Sequence, residues 1–255
     1  MAFPGDYTLY QIVTIDSDLI PSTQSNFTTT LTEANFVKAG ADIFDSCRSD
    51  GGDIRITLSD GTTQLARRIV EINTSTKKMV IKVLVPSLAS ATDPVIWVWY
   101  NGTDTEPAED ATYGSENAYH STRIMSQSMS EDPSGSAPQM IDGTSNSIDG
   151  TSNGGMTSGD VIDGQIGNAL NFDGTDYIDC GDNALTDFDG NDSFSLVGWF
   201  RSSSSVQRQT VFDKRNTSGS FEGYFLRVET GGAATFGFYD ASSNLAEVSG
   251  TTTCY

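Results

Sequence analysis

Few residue types in this chain could do chemistry. His120, in Ala118-Tyr119-His120-Ser121, is the only histidine in 255 residues. A Ser-His-Asp triad needs a histidine oriented by a carboxylate and facing a hydroxyl. No Gly-x-Ser-x-Gly elbow accompanies it, and a lone histidine in a polar loop is expected to be non-catalytic. Paired carboxylates can hydrolyse glycosides, but no run of the E-x-D-x-x-E kind occurs. The sequence therefore nominates no catalytic residue. Asp187, Asp189, Asn191 and Asp192 place four oxygen-bearing side chains in six residues around Gly190. Hard cations take such donors, so Ca²⁺ is the one ion this loop could hold. No Glu follows at the twelfth position, and turn formation explains the same residues. Asp173, Asp176 and Asp179 carry the same two readings. Trp199, Tyr224 and Tyr239 could stack on sugars, with burial in a core as the rival reading, above all for Trp199 and Phe200.

Charge limits the partners. The formal net charge is −20, and it sits in one stretch: residues 101–200 hold 18 Asp/Glu and a single basic residue, Arg123. A phosphate backbone is bound by clustered Lys and Arg, so nucleic acid is excluded as the main partner. Cys47, Cys180 and Cys254 form no C-x-x-C pair and are odd in number, which predicts free, unreactive thiols rather than a disulfide framework or a zinc site. No apolar run approaches the ~20 residues that span a bilayer, so membrane insertion is not expected. The segment Met1–Asp6 lacks a basic stretch followed by an apolar one, so no secretory signal is expected there. Five Asn-x-Ser/Thr sequons, at Asn26, Asn73, Asn101, Asn191 and Asn216, matter only in a glycosylating compartment.

The elements that must position these residues are strands. Ser, Thr, Asn and Gly abound while helix formers are thin. Residues 7–16 read as a strand and 31–38 as a short helix. Asp53–Leu58 alternates polar and apolar residues, Ser59-Asp60-Gly61 is a turn, and Gln64–Ile72 completes a hairpin. Met79–Val85 is a strand ended by Pro86, and Val95–Tyr100 is a central strand buried on both faces. Residues 101–165 are dominated by Gly, Ser, Thr, Asn, Asp and Glu. Within them the hexapeptide Ile-Asp-Gly-Thr-Ser-Asn occurs twice, at 141–146 and 148–153. Asp173-Gly174 reads as a hairpin turn between Ala169–Phe172 and Tyr177–Cys180. Ser193–Arg201, Gln209–Asp213, Gly223–Val228 and Ala234–Tyr239 read as strands separated by turns, the spacing of a sandwich or jelly roll.

Two segments resemble known families. Gly51-Gly52-Asp53-Ile54-Arg55-Ile56, the Asp60-Gly61 turn, Lys82–Leu88 and Trp97-Val98-Trp99-Tyr100-Asn101-Gly102 follow one another in an order that resembles the DUF2341 domain. Gly164–Gly174, Tyr177-Ile178 and Ser193–Phe200 look like the opening of a concanavalin A-like, laminin-G-like jelly roll. The Trp-His pair that usually opens the latter is represented by His120 alone, and residues 241–255 supply at most one further strand.

The reading is thus all-β. It comprises a small β-sandwich-like DUF2341-like domain (1–105), an acidic Gly/Ser/Asn-rich linker or loop region (106–160), and an incomplete concanavalin A-like β-sandwich (161–255). The resemblance implies a non-enzymatic structural or adhesive protein on a virion surface, as a decoration, fibre or tail-associated component with carbohydrate binding. Its partners would be other virion or filament subunits, including copies of itself, and cell-surface glycans. The open edge of a truncated sandwich would be completed by a neighbouring subunit. The alternatives are a secreted prokaryotic adhesin, an extracellular filament subunit, and a glycoside hydrolase-related lectin-like domain.

Overall fold

A computed structural model describes residues 5–36, 42–202, 206–216 and 219–254. The chain is β throughout, with antiparallel strands and single 3-10 turns, and it divides into two compact units, Met1–Gly181 and Asp182–Tyr255. The strands of the first unit are β1 (Leu9–Thr14), β2 (Gln24–Thr32), β3 (Arg55–Leu58), β4 (Gln64–Leu65), β5 (Arg67–Asn73), β6 (Lys78–Leu88), β7 (Val95–Tyr100), β8 (Thr151–Asn153), β9 (Val161–Asp163), β10 (Asn168–Leu170) and β11 (Tyr177–Asp179). Those of the second are β12 (Gln209–Arg215), β13 (Gly223–Val228), β14 (Ala233–Tyr239) and β15 (Leu245–Thr253).

In the first unit a four-stranded sheet, β1-β7-β3-β4, faces a three-stranded sheet, β2-β6-β5. Alternation decides what lies between them. Val13, Ile56, Ile96, Val98 and Tyr100 from one sheet meet Leu31, Ile81, Val83 and Val85 from the other in a single buried cluster, plugged by Phe36, Ile43 and Phe44. β7 is central, as its composition predicts, but only one of its faces joins this core. On the outer face Trp97 stacks against the half-exposed Tyr10 at 4.9 Å between ring centroids, and Trp99 is buried beneath, its indole donating to Thr57 Oγ1.

Three elements of the sandwich depart from the sequence expectation. The residues read as one strand, Gln64–Ile72, are two: β4 pairs with β3 in one sheet, and β5 pairs with β6 in the other, so the chain changes sheets at Ala66. β6 passes through Pro86 to Leu88. Opposite the proline, Asn26 takes a positive φ of 50°, which lets β2 skip the missing N–H. The expected helix at 31–38 is a single 3-10 turn, Glu33–Asn35, capped where Asn35 Oδ1 accepts the Thr32 N–H; residues 37 and 38 lie outside the described residues.

The acidic stretch packs onto this sandwich. Two buried arginines hold its start. Arg55 donates to the carbonyls of Gly52, Ile54 and Thr105, and Arg67 donates to the Ile54 carbonyl and pairs with Glu106 at 2.6 Å. Farther along, Thr28 Oγ1 donates to the Ala118 carbonyl, Glu71 accepts from Asn168 N–H, and Lys78 pairs with Asp163. Met140, Met156 and Leu170 form a small apolar cluster of their own within it. The expected hairpin at Asp173-Gly174 is not formed: β10 pairs with β9 and β11 with β8, so the turn joins two separate ribbons.

The second unit is one four-stranded antiparallel sheet in chain order, β12-β13-β14-β15. One face carries Phe212, Tyr224 and Phe236, roofed by Phe188 and Phe194. On the other face Phe225 lies between the guanidinium groups of Arg227 and Arg215, 4.1 and 5.0 Å from its ring centre. Ser193–Arg201, expected as a strand, joins no ladder; Phe194 alone of its large side chains packs into the aromatic cluster, while Val197 and Trp199 are exposed.

Candidate functional site

An open cleft of ≈ 560 Å³ lies on the outer face of the three-stranded sheet. Register makes its floor. On β6, Val83 and Val85 point into the core, so Leu84 points outward and, with Pro86, floors the cleft; Lys82 is on the same outer face, opposite Thr30 of β2 and Arg68 of β5, but outside the lining. The walls come from the acidic stretch, chiefly Thr112–Arg123 and Thr144–Asn146, with Asn26 and Gln64 at the rim. The Ser115–Ala118 turn brings Tyr113, Asn117 and His120 to this face.

The lining side chains are held before any ligand arrives. Asn117 donates its amide to the Ala111 carbonyl (2.9 Å) and Asn146 donates to the Ile124 carbonyl (2.8 Å), leaving their carbonyl oxygens to accept. Tyr119 is buried, and burial raises its phenol, although the Arg68 and Arg123 charges oppose this. Tyr113 keeps 40% of its surface exposed. His120 Nδ1 accepts the Thr122 N–H at 3.2 Å and lies 2.8 Å from Thr122 Oγ1, so the ring is oriented by its own loop and not by a carboxylate.

Beneath the wall, Asp142 acts as a buried acceptor hub. Its carboxylate accepts from the Ser126, Thr144 and Ile148 N–H groups and from Thr144 Oγ1, at 2.8–3.1 Å. Asp149, its counterpart in the second hexapeptide, accepts one bond, from the Asp142 N–H. The first copy of the repeat is thus a loop wrapped on a carboxylate, and the second runs into β8.

The aromatic residues nominated for sugar stacking are scattered in their environments. Tyr224 is a correction: it is buried, its hydroxyl donates to the Thr186 carbonyl at 2.9 Å, and burial pushes its phenol up to about 12. With neighbouring aromatic rings packed on it, it offers no platform. Trp199 is 76% exposed and Phe200 37%, so the core reading for this pair does not hold. Tyr239 is half-buried beside Phe221 and Phe225.

The carboxylates nominated for calcium make bonds of their own. Asp189 Oδ1 accepts the Asn191 N–H, Asp192 Oδ2 accepts the Asp189 N–H, and Asp187 pairs with Lys214 at 3.1 Å. Asp173, Asp176 and Asp179 serve turn N–H groups in the same way. Among the described residues no three His, Cys, Asp or Glu side chains gather as a metal site. The geometry is that of turns closed by short carboxylates.

The comparisons with known proteins add little. No family model and no curated protein matches the chain. Among solved structures, an S-layer domain-containing protein (residues 221-444) from Clostridium thermocellum ATCC 27405 is similar at 18% identity and a TM-score of 0.41, over 51% of this chain and 57% of that one. The chain therefore spans just over half of that structure's length, and a likeness of this degree carries no functional inference. No helix among the described residues is long and apolar enough to cross a membrane.

Sequence reasoning missed the cleft because its residues come from five separate segments with no local motif. One signal was present: Arg123 is the sole basic residue among residues 101–200.

Proposed function

We propose that this chain is a non-catalytic structural and adhesive surface protein that recognises carbohydrate in the cleft on the β2-β6-β5 sheet. One observation carries the reading. An exposed tyrosine ring, Tyr113, shares a concave polar surface with amides fixed by hydrogen bonds to backbone carbonyls. Sugars are bound by such a combination, an aromatic face for their C–H surface and preorganised polar groups for their hydroxyls. His120 supports the non-catalytic part, since Thr122 takes the ring nitrogen that a triad gives to its acid. The setting implied by the resemblance is a virion surface, as a decoration, fibre or tail-associated subunit, with a secreted prokaryotic adhesin as the alternative.

A glycan array read with the wild-type chain and with Tyr113→Ala tests the site. Wild type should bind a defined subset of glycans. The variant should keep its fold and lose about tenfold in affinity, since a stacking contact is worth about 1 kcal/mol. Undiminished binding by the variant would remove the cleft from the account.

One observation favours a second reading, a subunit that assembles edge to edge. β15 is exposed along all nine residues and pairs only with β14 among the described residues. Unpaired edges invite strand addition. A monodisperse monomer at high concentration in light scattering would count against it.

A further inference from the structure

We infer that the ligand of the cleft is anionic, a sugar carrying a carboxylate or sulfate that Arg123 holds at the cleft wall, with Lys82 and Arg68 adding positive charge from the same face of the sheet. The inference rests on the carbohydrate reading above and narrows it. The chain has 34 acidic and 14 basic residues, so each cation should find a carboxylate easily. In the first unit Arg48, Arg55, Arg67, Lys77 and Lys78 all do. Arg68, Lys82 and Arg123 are the described cations of that unit with no carboxylate within ion-pair distance, and they stand together. Arg68 and Lys82 are direct cross-strand partners on β5 and β6. Arg123 lines the cleft, near enough for its charge to act on Lys82, with its guanidinium 6.0 Å from the centre of the Tyr119 ring.

Like charges directly opposite one another destabilise a sheet. Here the opposition is left without internal relief. Lys82 Nζ donates to Thr30 Oγ1, and Arg68 makes two long bonds of 3.4 Å to the Ile141 and Asp142 carbonyls. Burial lowers the Lys82 ammonium, and the Arg123 charge lowers it further. The nearby carboxylate that could neutralise them, Asp142, already receives four donors, and Glu116, which also lines the cleft, forms no ion pair among the described residues. A bound carboxylate or sulfate would supply the missing counter-charge, and Arg123 offers it a planar fork. The overall negative charge does not forbid this, because at physiological salt fields are screened over about 8 Å.

The test is affinity for a panel of acidic oligosaccharides (uronate, sialyl and sulfated), each against its neutral counterpart, with inorganic sulfate as a separate arm. The acidic members that bind should do so at least tenfold more tightly than their neutral forms. Arg123→Gln should erase that preference, and Lys82→Met should reduce it. Lys82→Met should also leave amide exchange at Ile81 and Val83 unchanged or slower, because it removes one of two opposed charges. Replacing a merely structural lysine would speed that exchange. Equal binding of acidic and neutral sugars, both lost in Tyr113→Ala, would overturn the anionic inference and leave the carbohydrate reading standing. Inorganic sulfate bound as tightly as any acidic sugar would overturn the sugar half. No acidic member bound would overturn the inference whole.

Discussion

The duplicated hexapeptide provides an internal control on how the acidic stretch is held. Replacing Asp142 by Ala removes an acceptor from three backbone N–H groups and one hydroxyl, and Thr144 and Ile148 among these are buried. A buried donor left without a partner costs about 1–3 kcal/mol. Two such donors put the loss at about 2–6 kcal/mol. Asp149→Ala removes an acceptor from one N–H only, a loss of about 1 kcal/mol. Two units make a single unfolding midpoint a poor measure, so the assay is amide hydrogen exchange. Met140 and Gly150 are the right reporters: they bond each other's backbone, and neither bonds Asp142 through its N–H. Asp142→Ala should speed their exchange about 100-fold and Asp149→Ala tenfold or less, since each 1.4 kcal/mol is a factor of ten. The Ile96 and Val98 amides, in the sandwich core, should not change. Equal effects of the two substitutions, or less than tenfold for Asp142→Ala, would refute the reasoning.

Other expectations concern the second unit, acid and the thiols. A Cβ added at Gly237 would fall within the buried Phe225 ring, so Gly237→Ala should destabilise that unit by about 1–3 kcal/mol and weaken its near-ultraviolet dichroism. Asp60 is held down to about 2 by the Thr63 hydroxyl and the Thr63 and Thr62 N–H groups; Asp132, Asp173 and Asp240 are lowered by similar local bonds, Asp42 chiefly by Lys77, and Asp93 by the Ser17 hydroxyl and N–H. Their folded pKa values lie below the unfolded ones, so they stabilise the fold fully above pH ~4 and lose this as pH falls toward about 2. An acid titration by circular dichroism should show little loss above pH ~4 and a fall below it. Burial, with Asp53, Asp42 and Asp50 nearby, pushes the Cys47 thiol up to about 12. At pH 8 it should react with a thiol reagent far more slowly in the native chain than in urea.

The fold was legible where alternation is long and uninterrupted. β3 read directly from its period-two pattern, β7 from its continuous apolar run, and three strands of the second unit from their turn spacing. What failed was pairing. Nothing in Gln64–Ile72 marks Ala66 as the point where the chain leaves one sheet for another, because both halves keep strand character. Ser193–Arg201 has strand composition, yet a strand exists only where a neighbour pairs with it. The same limit explains Tyr224, since alternation does not say which face of a sheet becomes covered. The acidic stretch shows most clearly what composition hides. Its Asp and Gly content signals turns, and turns are what it forms. That those turns pack on the sandwich depends on Arg55, Arg67 and the Asp142 hub, contacts between residues 20 to 50 positions apart or carried by one buried carboxylate. The site is a consequence of that packing, so it was the least readable part.

The central claim is that sugar binds on the three-stranded sheet of the first unit. Hydroxyl-radical footprinting of the intact chain, with and without a bound glycan from the array, tests it most directly. The account predicts protection of Tyr113 and His120, with Trp199, Tyr239 and the Tyr10–Trp97 stack unchanged. Protection confined to Trp199 and Tyr239, or to Tyr10 and Trp97, with Tyr113 as reactive as before, would contradict it.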